Sequence, residues 1–218
     1  MTQLVRADAG LRLGDYCEAL RWYLRLPDEL FDSVIVLENS GSDLQPFAEL
    51  AERQRTSKRV ELLSTSVGAP PECGKGYGEA LMIEEGLRQS RMLDAEAPFW
   101  KVTGRLRVVN LAELVRTAPQ EFDLYCDLRD VPLIADTLGG NHWMETRLFA
   151  TTPATYLSLF ENQVQCQDTI EKRFYPLVRE AMAAGNLAVP PRFRRHPVFD
   201  GVCGRSGASY RSPAYRTK

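Results

Sequence analysis

Apolar runs and amphipathic stretches alternate along this chain, and the alternation predicts its secondary structure. Phe31–Leu37 contains the run Val-Ile-Val-Leu, whose length and β-branching are typical of a buried parallel strand. Asp15–Leu24 places apolar side chains at helical spacing, as does the stretch that begins at Gly74. Further strands are predicted at Val60–Ser64, Phe99–Val102, Phe122–Asp127 and Trp143–Thr151, and further helices at Leu44–Gln54, within Val108–Val115, at Thr155–Val164 and at Asp168–Ala184. This order predicts an α/β domain with a parallel or mixed sheet flanked by helices.

Two glycine-bearing cationic stretches stand out against this pattern. The first, GKGYG at Gly74–Gly78, is predicted to be a loop before a helix that runs to about Leu93, where backbone N–H groups and the helix dipole favour an anion. The second, Lys-Val-Thr-Gly-Arg, ends the predicted strand Phe99–Val102. Together they predict a site for a phosphate-bearing ligand, with the candidate residues Lys75, Gly76, Lys101, Thr103 and Arg105. Solvated loop cations are the plain structural alternative, and neither stretch matches the P-loop or the dinucleotide-binding pattern.

A turn cluster, Glu-Asn-Ser-Gly, follows the first predicted strand. In open α/β sheets, ligands bind in the crevice at the carboxyl ends of the strands, so Glu38 and Asn39 are candidate donor-binding residues. A plain turn, with Ser42 or Asp43 capping the next helix, explains the same sequence equally well.

The composition is ordinary for a globular protein, since 44% of the 218 residues are hydrophobic and 26% are charged. No apolar run approaches the roughly 20 residues that span a bilayer, and charged residues interrupt the start of the chain where a signal peptide would be apolar. We therefore expect a cytoplasmic protein. The five cysteines are dispersed and include no Cys-x-x-Cys pair, which argues against a zinc site or a disulfide framework and favours free thiols.

The charge is distributed unevenly. Residues 1–171 carry 17 Lys and Arg against 27 Asp and Glu, a balance of −10, whereas residues 172–218 carry 10 against 2, a balance of +8. A basic terminal segment can bind a polyphosphate, an anionic membrane surface or the acidic body of its own protein. Nucleic acid is not expected, because the isoelectric point is about 5.8. We predict one α/β domain over residues 1–191 and a basic segment, 192–218, that lies on or near the site and has a flexible end.

The order of several motifs resembles one protein family. The succession VIVLENSG, GKGYGE, KVTGR, DLYCDLR, IEKRFYP and PRF…FDGVCGRSGASY, from about Phe31 to Tyr210, resembles bacterial GT-A glycosyltransferases of capsule and lipopolysaccharide O-antigen synthesis. The resemblance implies a single Rossmann-like domain that transfers a sugar from a nucleotide-sugar donor to a saccharide or lipid-linked acceptor. It also implies a peripheral position at the inner membrane as an option, and Arg205 as a further donor-binding residue.

The chain departs from this family at the metal site. GT-A enzymes carry an Asp-x-Asp motif that holds a divalent metal against the donor diphosphate, and this chain has Lys-Val-Thr-Gly-Arg at the corresponding strand end. Because a Lys and an Arg can stabilise the leaving diphosphate without a metal, we expect Lys75, Lys101 and Arg105 to do so. No cofactor is therefore required, although Mg²⁺ or Mn²⁺ stays open.

An inverting transfer needs a carboxylate that takes the proton of the acceptor hydroxyl. The candidate catalytic residues are Glu79, Asp127 and Glu171, and Glu145 is a further candidate base. The structural alternatives are a first-turn helix carboxylate for Glu79, a salt bridge to Arg129 for Asp127, and a surface carboxylate for Glu171. The missing Asp-x-Asp motif keeps open a non-catalytic partner subunit that binds a nucleotide or sugar phosphate, and a nucleotidyltransferase is a third reading.

Overall fold

The chain has a mixed α/β fold, which confirms the predicted class at this level. The computed structural model describes residues 8–65, 68–130, 141–203 and 207–210. The helices are α1 (Ala9–Leu24), α2 (Gln45–Gln54), α3 (Gly74–Gln89), α4 (Leu111–Arg116), α5 (Pro153–Phe160) and α6 (Ile170–Ala184). The strands are β1 (Ser33–Glu38), β2 (Arg59–Ser64), β3 (Phe99–Val102), β4 (Arg107–Val108), β5 (Leu124–Tyr125), β6 (Leu128–Arg129), β7 (Trp143–Met144), β8 (Leu148–Thr151) and β9 (Phe199–Asp200).

The N-terminal part is a parallel pair of strands with two helices packed on it. β1 pairs with β2 in parallel, from Ser33 opposite Arg59 to Glu38 opposite Ser64. The apolar side chains of both strands pack against α1 and α2 around a core that contains Leu20, Leu24, Phe47 and Leu50. Both strands were predicted from the sequence, and the parallel direction was predicted for β1, which is half-buried rather than buried.

The second part is built on a three-stranded antiparallel sheet in the order β3-β8-β5, whereas a parallel or mixed sheet was predicted. Helices α3, α5 and α6 pack on it, and Tyr156, Phe160 and Phe174 are fully buried among them. The described strands form four separate hydrogen-bonded groups, so the prediction of one continuous sheet is not met within the described residues.

One predicted strand is shorter in the structure, and a second is broken into two. Phe122–Asp127 yields only β5, with β6 after it, and Trp143–Thr151 yields β7 and β8 in different sheets. The break in the second lies at Glu145, whose backbone N–H donates to the carbonyl of Asp127 at 2.8 Å. The Glu145 carboxylate accepts a bond from the backbone N–H of Arg147, 2.9 Å away, and this local bond takes the place of a ladder bond.

The predicted glycine loop is also wrong, since Gly74–Gly78 forms the first turns of α3. Its glycines serve close packing. A Cβ on Gly76 would lie 3.0 Å from backbone atoms of both Asp168 and Ile170, at the start of α6. Gly in a helix costs about 1 kcal/mol relative to Ala, and here it allows the two helices to meet at their N-termini.

A disulfide between Cys73 and Cys166 corrects the prediction of free thiols for these two cysteines. It joins the residue before α3 to the loop before α6, across a sequence separation of 93 residues. The backbone N–H of Gln167 also donates to the carbonyl of Cys73 at 2.9 Å. The cysteine argument for a reducing compartment no longer holds, because disulfides are typical of oxidising ones. Cys17, Cys126 and Cys203 are not part of a disulfide.

The basic C-terminal segment packs on the body as far as it is described. β9 pairs with β4, and the Arg107 guanidinium donates to the Asp200 carboxylate at 2.6 Å. The predicted flexible end, residues 211–218, lies outside the described residues. Among the helices that the structure describes, none is long and apolar enough to cross a membrane.

Candidate functional site

A buried lysine lies at the centre of the candidate site. Lys101 is in β3, opposite Phe149 of β8, and its side chain is 9% exposed. Its ammonium group donates hydrogen bonds to the Glu79 carboxylate and to the backbone carbonyl of Thr146, and lies 3.4 Å from the hydroxyl of Thr103. These three acceptors match the three N–H donors of a lysine side chain.

Glu79 reaches this lysine from the second turn of α3. Its position follows from the packing of α3 on α6, which Gly76 and the Cys73–Cys166 disulfide hold at the N-terminal ends. The Glu79 side chain is 27% exposed, so the pair is sheltered on the lysine side and open to solvent on the carboxylate side. Charge pairs in such places interact more strongly than exposed pairs, because water screens them less.

Glu171 is the second carboxylate, in the first turn of α6. Burial raises the pKa of Glu171 above its ordinary value of 4.5, and the nearby charges of Glu79 and Glu145 raise it further. The Lys101 ammonium acts in the opposite direction. A carboxyl group with a raised pKa, beside a lysine and two other carboxylates, is the pattern expected of a group that exchanges protons.

Glu145 is the third carboxylate, and it is buried at the break between β7 and β8. It forms a two-pronged ion pair with Arg147, whose Nε donates to Oε1 at 2.8 Å. The guanidinium of Arg147 also lies 4.4 Å from the ring centre of Phe199 and 5.1 Å from that of Tyr210. Glu145 thus connects the site to the C-terminal segment through one arginine. We call Lys101, Glu79, Glu145 and Glu171 the lysine–carboxylate cluster.

Asp127, the remaining predicted catalytic residue, lies beside this cluster. Its backbone carbonyl accepts the Glu145 N–H bond, and its side chain lines a separate cavity of about 100 Å³ with Arg192, Phe193, His196 and Pro197. Burial raises the pKa of Asp127, the positive charges of Arg192, Arg129 and His196 oppose the rise, and Glu145 adds to it. The predicted salt bridge to Arg129 is replaced by one to Arg192, whose Nη1 lies 3.3 Å from Oδ1.

The predicted phosphate-binding residues are not all brought together. Lys101 and Thr103 are adjacent, as described above. Arg105 instead donates from Nε to the carbonyl of Val202 at 3.2 Å, so it faces the C-terminal segment. Lys75 is exposed in the first turn of α3, and Gly76 has the packing role described above. Arg205 lies outside the described residues.

Glu38 is the last residue of β1, and Asn39 begins the turn that follows. The Glu38 carboxylate accepts bonds from the backbone N–H groups of Ser40, at 2.8 Å, and Ser42, at 3.1 Å. Asn39 is exposed. Glu38 therefore closes its own turn, and the Asp43 carboxylate accepts the backbone N–H of Gln45, the first residue of α2, at 2.9 Å, as in the plain-turn alternative.

The sequence reasoning missed Thr146 and Arg147 as parts of the site. The available signal was the pair of opposite charges two residues apart, Glu145 and Arg147, inside an otherwise apolar stretch. In a continuous strand these side chains would lie on one face, next to buried apolar residues, so the pair marks a break in the strand.

The acidic groups do not form a metal site within the ranges that the structure describes. No set of three or more His, Cys, Asp or Glu side chains is placed there to hold a metal ion. The cluster is instead arranged around an ammonium group. Comparison with known proteins adds no identification: no model of a known protein family matches the chain, and no characterised protein matches it in sequence.

Proposed function

We propose that this protein is a glycosyltransferase of bacterial surface polysaccharide synthesis, with a Rossmann-like fold of the GT-A type. It moves a sugar from a nucleotide-sugar donor to a hydroxyl of a saccharide or lipid-linked acceptor. The observation that carries the proposal is the Lys101–Glu79 pair beside Glu171, a carboxyl group whose pKa is raised by burial and responds to the charges of Glu79, Glu145 and Lys101. The α/β fold, with a parallel strand pair and helices packed on the sheets, is compatible with it, and the order of motifs along the chain suggested it.

Sugar transfer requires a base that accepts the acceptor's proton and a positively charged group that stabilises the leaving diphosphate. The acceptor oxygen forms a bond to the anomeric carbon while the bond from that carbon to the diphosphate oxygen breaks. In an inverting transfer the hydroxyl proton passes to a base, and the nucleoside diphosphate leaves with the bonding electron pair. A carboxylate suits the first role, and fixed cationic donors suit the second.

Glu171 is our choice for the base. Its raised pKa makes its ionised form a stronger proton acceptor than an ordinary carboxylate. Glu79 is engaged with Lys101, and Glu145 with Arg147, so neither is as ready to accept a proton. Asp127 lies in its own cavity beside the cluster.

Lys101 receives the leaving diphosphate in this proposal. Because Glu79 already pairs with Lys101, an incoming diphosphate has to displace that carboxylate. The pair therefore holds the ammonium group in place, and the same pair limits the affinity for the donor. No step is assigned to a metal, since the described acidic groups do not fit one.

Thermal-shift measurements with UDP, GDP, CMP, TDP and ADP, each in EDTA and in Mn²⁺ or Mg²⁺, provide the first test. A ligand at 100 times its Kd stabilises the folded protein by about 2.7 kcal/mol, so binding is easily seen. We expect one nucleotide to stabilise the protein in EDTA. Glu79→Gln should strengthen that binding, because it frees Lys101, and Lys101→Met should abolish it.

Turnover is tested by release of the nucleoside diphosphate from the matching sugar donor. Glu171→Gln should lower turnover by roughly 10²–10⁴-fold and leave nucleotide binding intact, as expected for loss of a general base. Glu180→Gln is the matched control, since Glu180 is an exposed glutamate on the same helix. No nucleotide response in any buffer, or equal turnover of the two variants, contradicts the proposal.

A non-catalytic partner subunit that binds a nucleotide or sugar phosphate is the second candidate. It is favoured by the same Lys101–Glu79 pair, which neutralises the central cation before any donor arrives. Binding of a nucleotide without release of a diphosphate, with every donor and acceptor supplied, would support this candidate over the transferase.

A further inference from the structure

The cavity beside Asp127 has the composition of a ligand site that is separate from the lysine–carboxylate cluster. It encloses about 100 Å³ between Asp127, which lies between β5 and β6, and the segment 192–197. A water molecule occupies about 30 Å³ of liquid, so the cavity admits one edge of a small ring. Its lining combines a carboxylate, a guanidinium, an imidazole and an aromatic ring.

The Asp127 carboxylate lacks a donor. Its Oδ1 atom is buried and has no hydrogen-bond partner among the described residues. The Arg192 guanidinium lies 3.3 Å from that oxygen without the geometry of a hydrogen bond, and its side chain is 52% exposed. A buried acceptor without a donor has lost its bonds to water and gained none in return, which costs free energy. A ligand that brings an O–H or N–H group to Oδ1 removes that cost.

Phe193 supplies a fixed apolar wall. Its ring stacks on Trp100 with the centres 6.3 Å apart and meets Tyr125 edge-on at 4.7 Å. The hydroxyl of Tyr125 accepts a bond from the backbone N–H of Arg194 at 2.7 Å, which holds the segment in place. The wall is therefore part of the folded protein.

These features together favour a polyhydroxylated ligand over the alternatives. An anion would meet the Asp127 carboxylate, and an apolar molecule would leave Oδ1 without a donor. A metal ion would face Arg192 and His196 beside a single carboxylate. A sugar has hydroxyl donors for Asp127, hydroxyl acceptors for Arg192, and an apolar C–H face for Phe193.

We infer that this cavity binds the saccharide acceptor, with a sugar hydroxyl donating to Asp127 Oδ1 and the C–H face of the ring on Phe193. The assignment of this saccharide as the acceptor substrate rests on the proposed function. The cavity is next to the cluster, since the Asp127 carbonyl accepts the backbone N–H of Glu145 at 2.8 Å. A saccharide bound there lies beside the carboxylates that the transfer uses.

Saturation-transfer NMR with simple methyl glycosides tests the inference without any nucleotide. The probes are the methyl pyranosides of glucose, galactose, mannose, rhamnose and N-acetylglucosamine. We expect at least one of them to be saturated by the wild-type protein. The signal should fall by about tenfold in Asp127→Asn, the loss expected for a hydrogen bond to a charged group.

Two further variants keep the result interpretable. His196→Ala changes an exposed side chain of the same cavity, so the protein should stay folded and glycoside binding should weaken. This variant therefore tests the cavity if Asp127→Asn proves unstable. Asp130→Asn is the control, since Asp130 is near in sequence and pairs instead with Arg179 at 3.7 Å. It should bind as the wild type does.

Absence of saturation for every glycoside, or equal saturation in wild type and Asp127→Asn, overturns the inference. Its failure is distinguishable from that of the proposed function. A nucleotide response without glycoside binding overturns the acceptor cavity alone. Glycoside binding that depends on Asp127, without any nucleotide response, supports the saccharide site and contradicts the transferase.

Discussion

Glu38 in β1 and Lys101 in β3 are both charged groups near strand ends, and their hydrogen bonds are satisfied in different ways. The Glu38 carboxylate accepts bonds from Ser40 and Ser42, two and four residues further along the chain. The Lys101 ammonium has its acceptors at Glu79 and Thr146, 22 and 45 residues away. One group completes a local turn, and the other joins distant elements.

The difference separates a structural role from a candidate functional one. A turn closed by its own carboxylate forms wherever that short sequence can bend, and it needs no ligand to explain it. Three carboxylates gathered by separate elements repel one another, and the fold has to offset that repulsion. Such costly arrangements are found most often at functional sites. We therefore place the site at Lys101 and assign the turn at Glu38 to the fold.

Removing the Lys101 charge should give the largest effect. Lys101→Met leaves Glu79 without its ion-pair partner and removes the positive charge that lowers the pKa of Glu171. Breaking a largely buried pair in this way costs about 3–5 kcal/mol of unfolding free energy. Urea denaturation at neutral pH measures the loss. Arg53→Met is the control, since the Arg53 side chain is 75% exposed in its pair with Glu49, and it should cost under about 1 kcal/mol.

The double variant Lys101→Met, Glu79→Gln sharpens this test. Removing the unpaired carboxylate should return part of the lost stability, because the two residues are in direct contact. Equal losses in Lys101→Met and Arg53→Met would show that the cluster is no more than a surface ion pair.

Loss of the disulfide should give the next largest effect. Cys73→Ala with Cys166→Ala removes a bridge that spans 93 residues, and about 2–4 kcal/mol of unfolding free energy should be lost. A reductant should lower the stability of the wild type to that of the variant and leave the variant unchanged. Amide exchange at Ser40 and Ser42 should stay as in the wild type, because their turn is closed by Glu38.

A thiol count checks the bridge itself. The denatured, unreduced chain should react at three thiols, Cys17, Cys126 and Cys203, and the reduced chain at all five cysteines. Five reactive thiols without a reductant would restore the prediction made from the sequence.

The sequence predicted those parts of the fold whose causes are local. β1 and β3 follow from short apolar runs, and their bounds agree with the prediction to within two residues. The glycine loop was predicted wrongly because Gly76 is needed for close packing against the start of α6, more than 90 residues away in the chain. Local pattern cannot show which distant backbone a glycine must accommodate.

The candidate site shows the same limit. Glu79, Lys101 and Glu171 were each named from the sequence, but their grouping depends on the contact of α3 with α6 and on a disulfide that cysteine spacing did not suggest. Glu145 was named from the sequence only as one of several candidate bases. Its partner Arg147 became visible only once the break between β7 and β8 was known.

Truncation of Glu38 should have a smaller effect. Glu38→Ala removes the acceptor of two backbone N–H groups, a loss similar to that of a helix cap, so about 1 kcal/mol is expected. Asn39→Ala, at the exposed neighbouring position, should stay within about 0.5 kcal/mol of the wild type. Neither variant should alter the thermal shift given by nucleotides. Loss of the nucleotide response in Glu38→Ala would indicate that the ligand binds at the end of β1. Glu38 would then have the functional role that is assigned above to Lys101.

The pH dependence of stability should give the smallest effect, and it reports on the cluster alone. The folded-state pKa of Glu171 is raised above its ordinary value of 4.5, chiefly by burial and then by Glu79 and Glu145, against the opposing charge of Lys101. A group of this kind contributes its full stability below the unfolded pKa, and the contribution is lost as the pH rises through the folded pKa. The wild type should therefore lose stability relative to Glu171→Gln as the pH rises from about 4.5. Urea midpoints of the two proteins across this range give the difference directly. The two should converge at the acid end, where Glu171 is protonated in both states.

The same comparison with Glu180→Gln should give no such divergence, because Glu180 is exposed on α6. A difference that stays constant with pH would mean that Glu171 titrates alike in the folded and unfolded chain, and the cluster would then hold no proton-exchanging carboxylate.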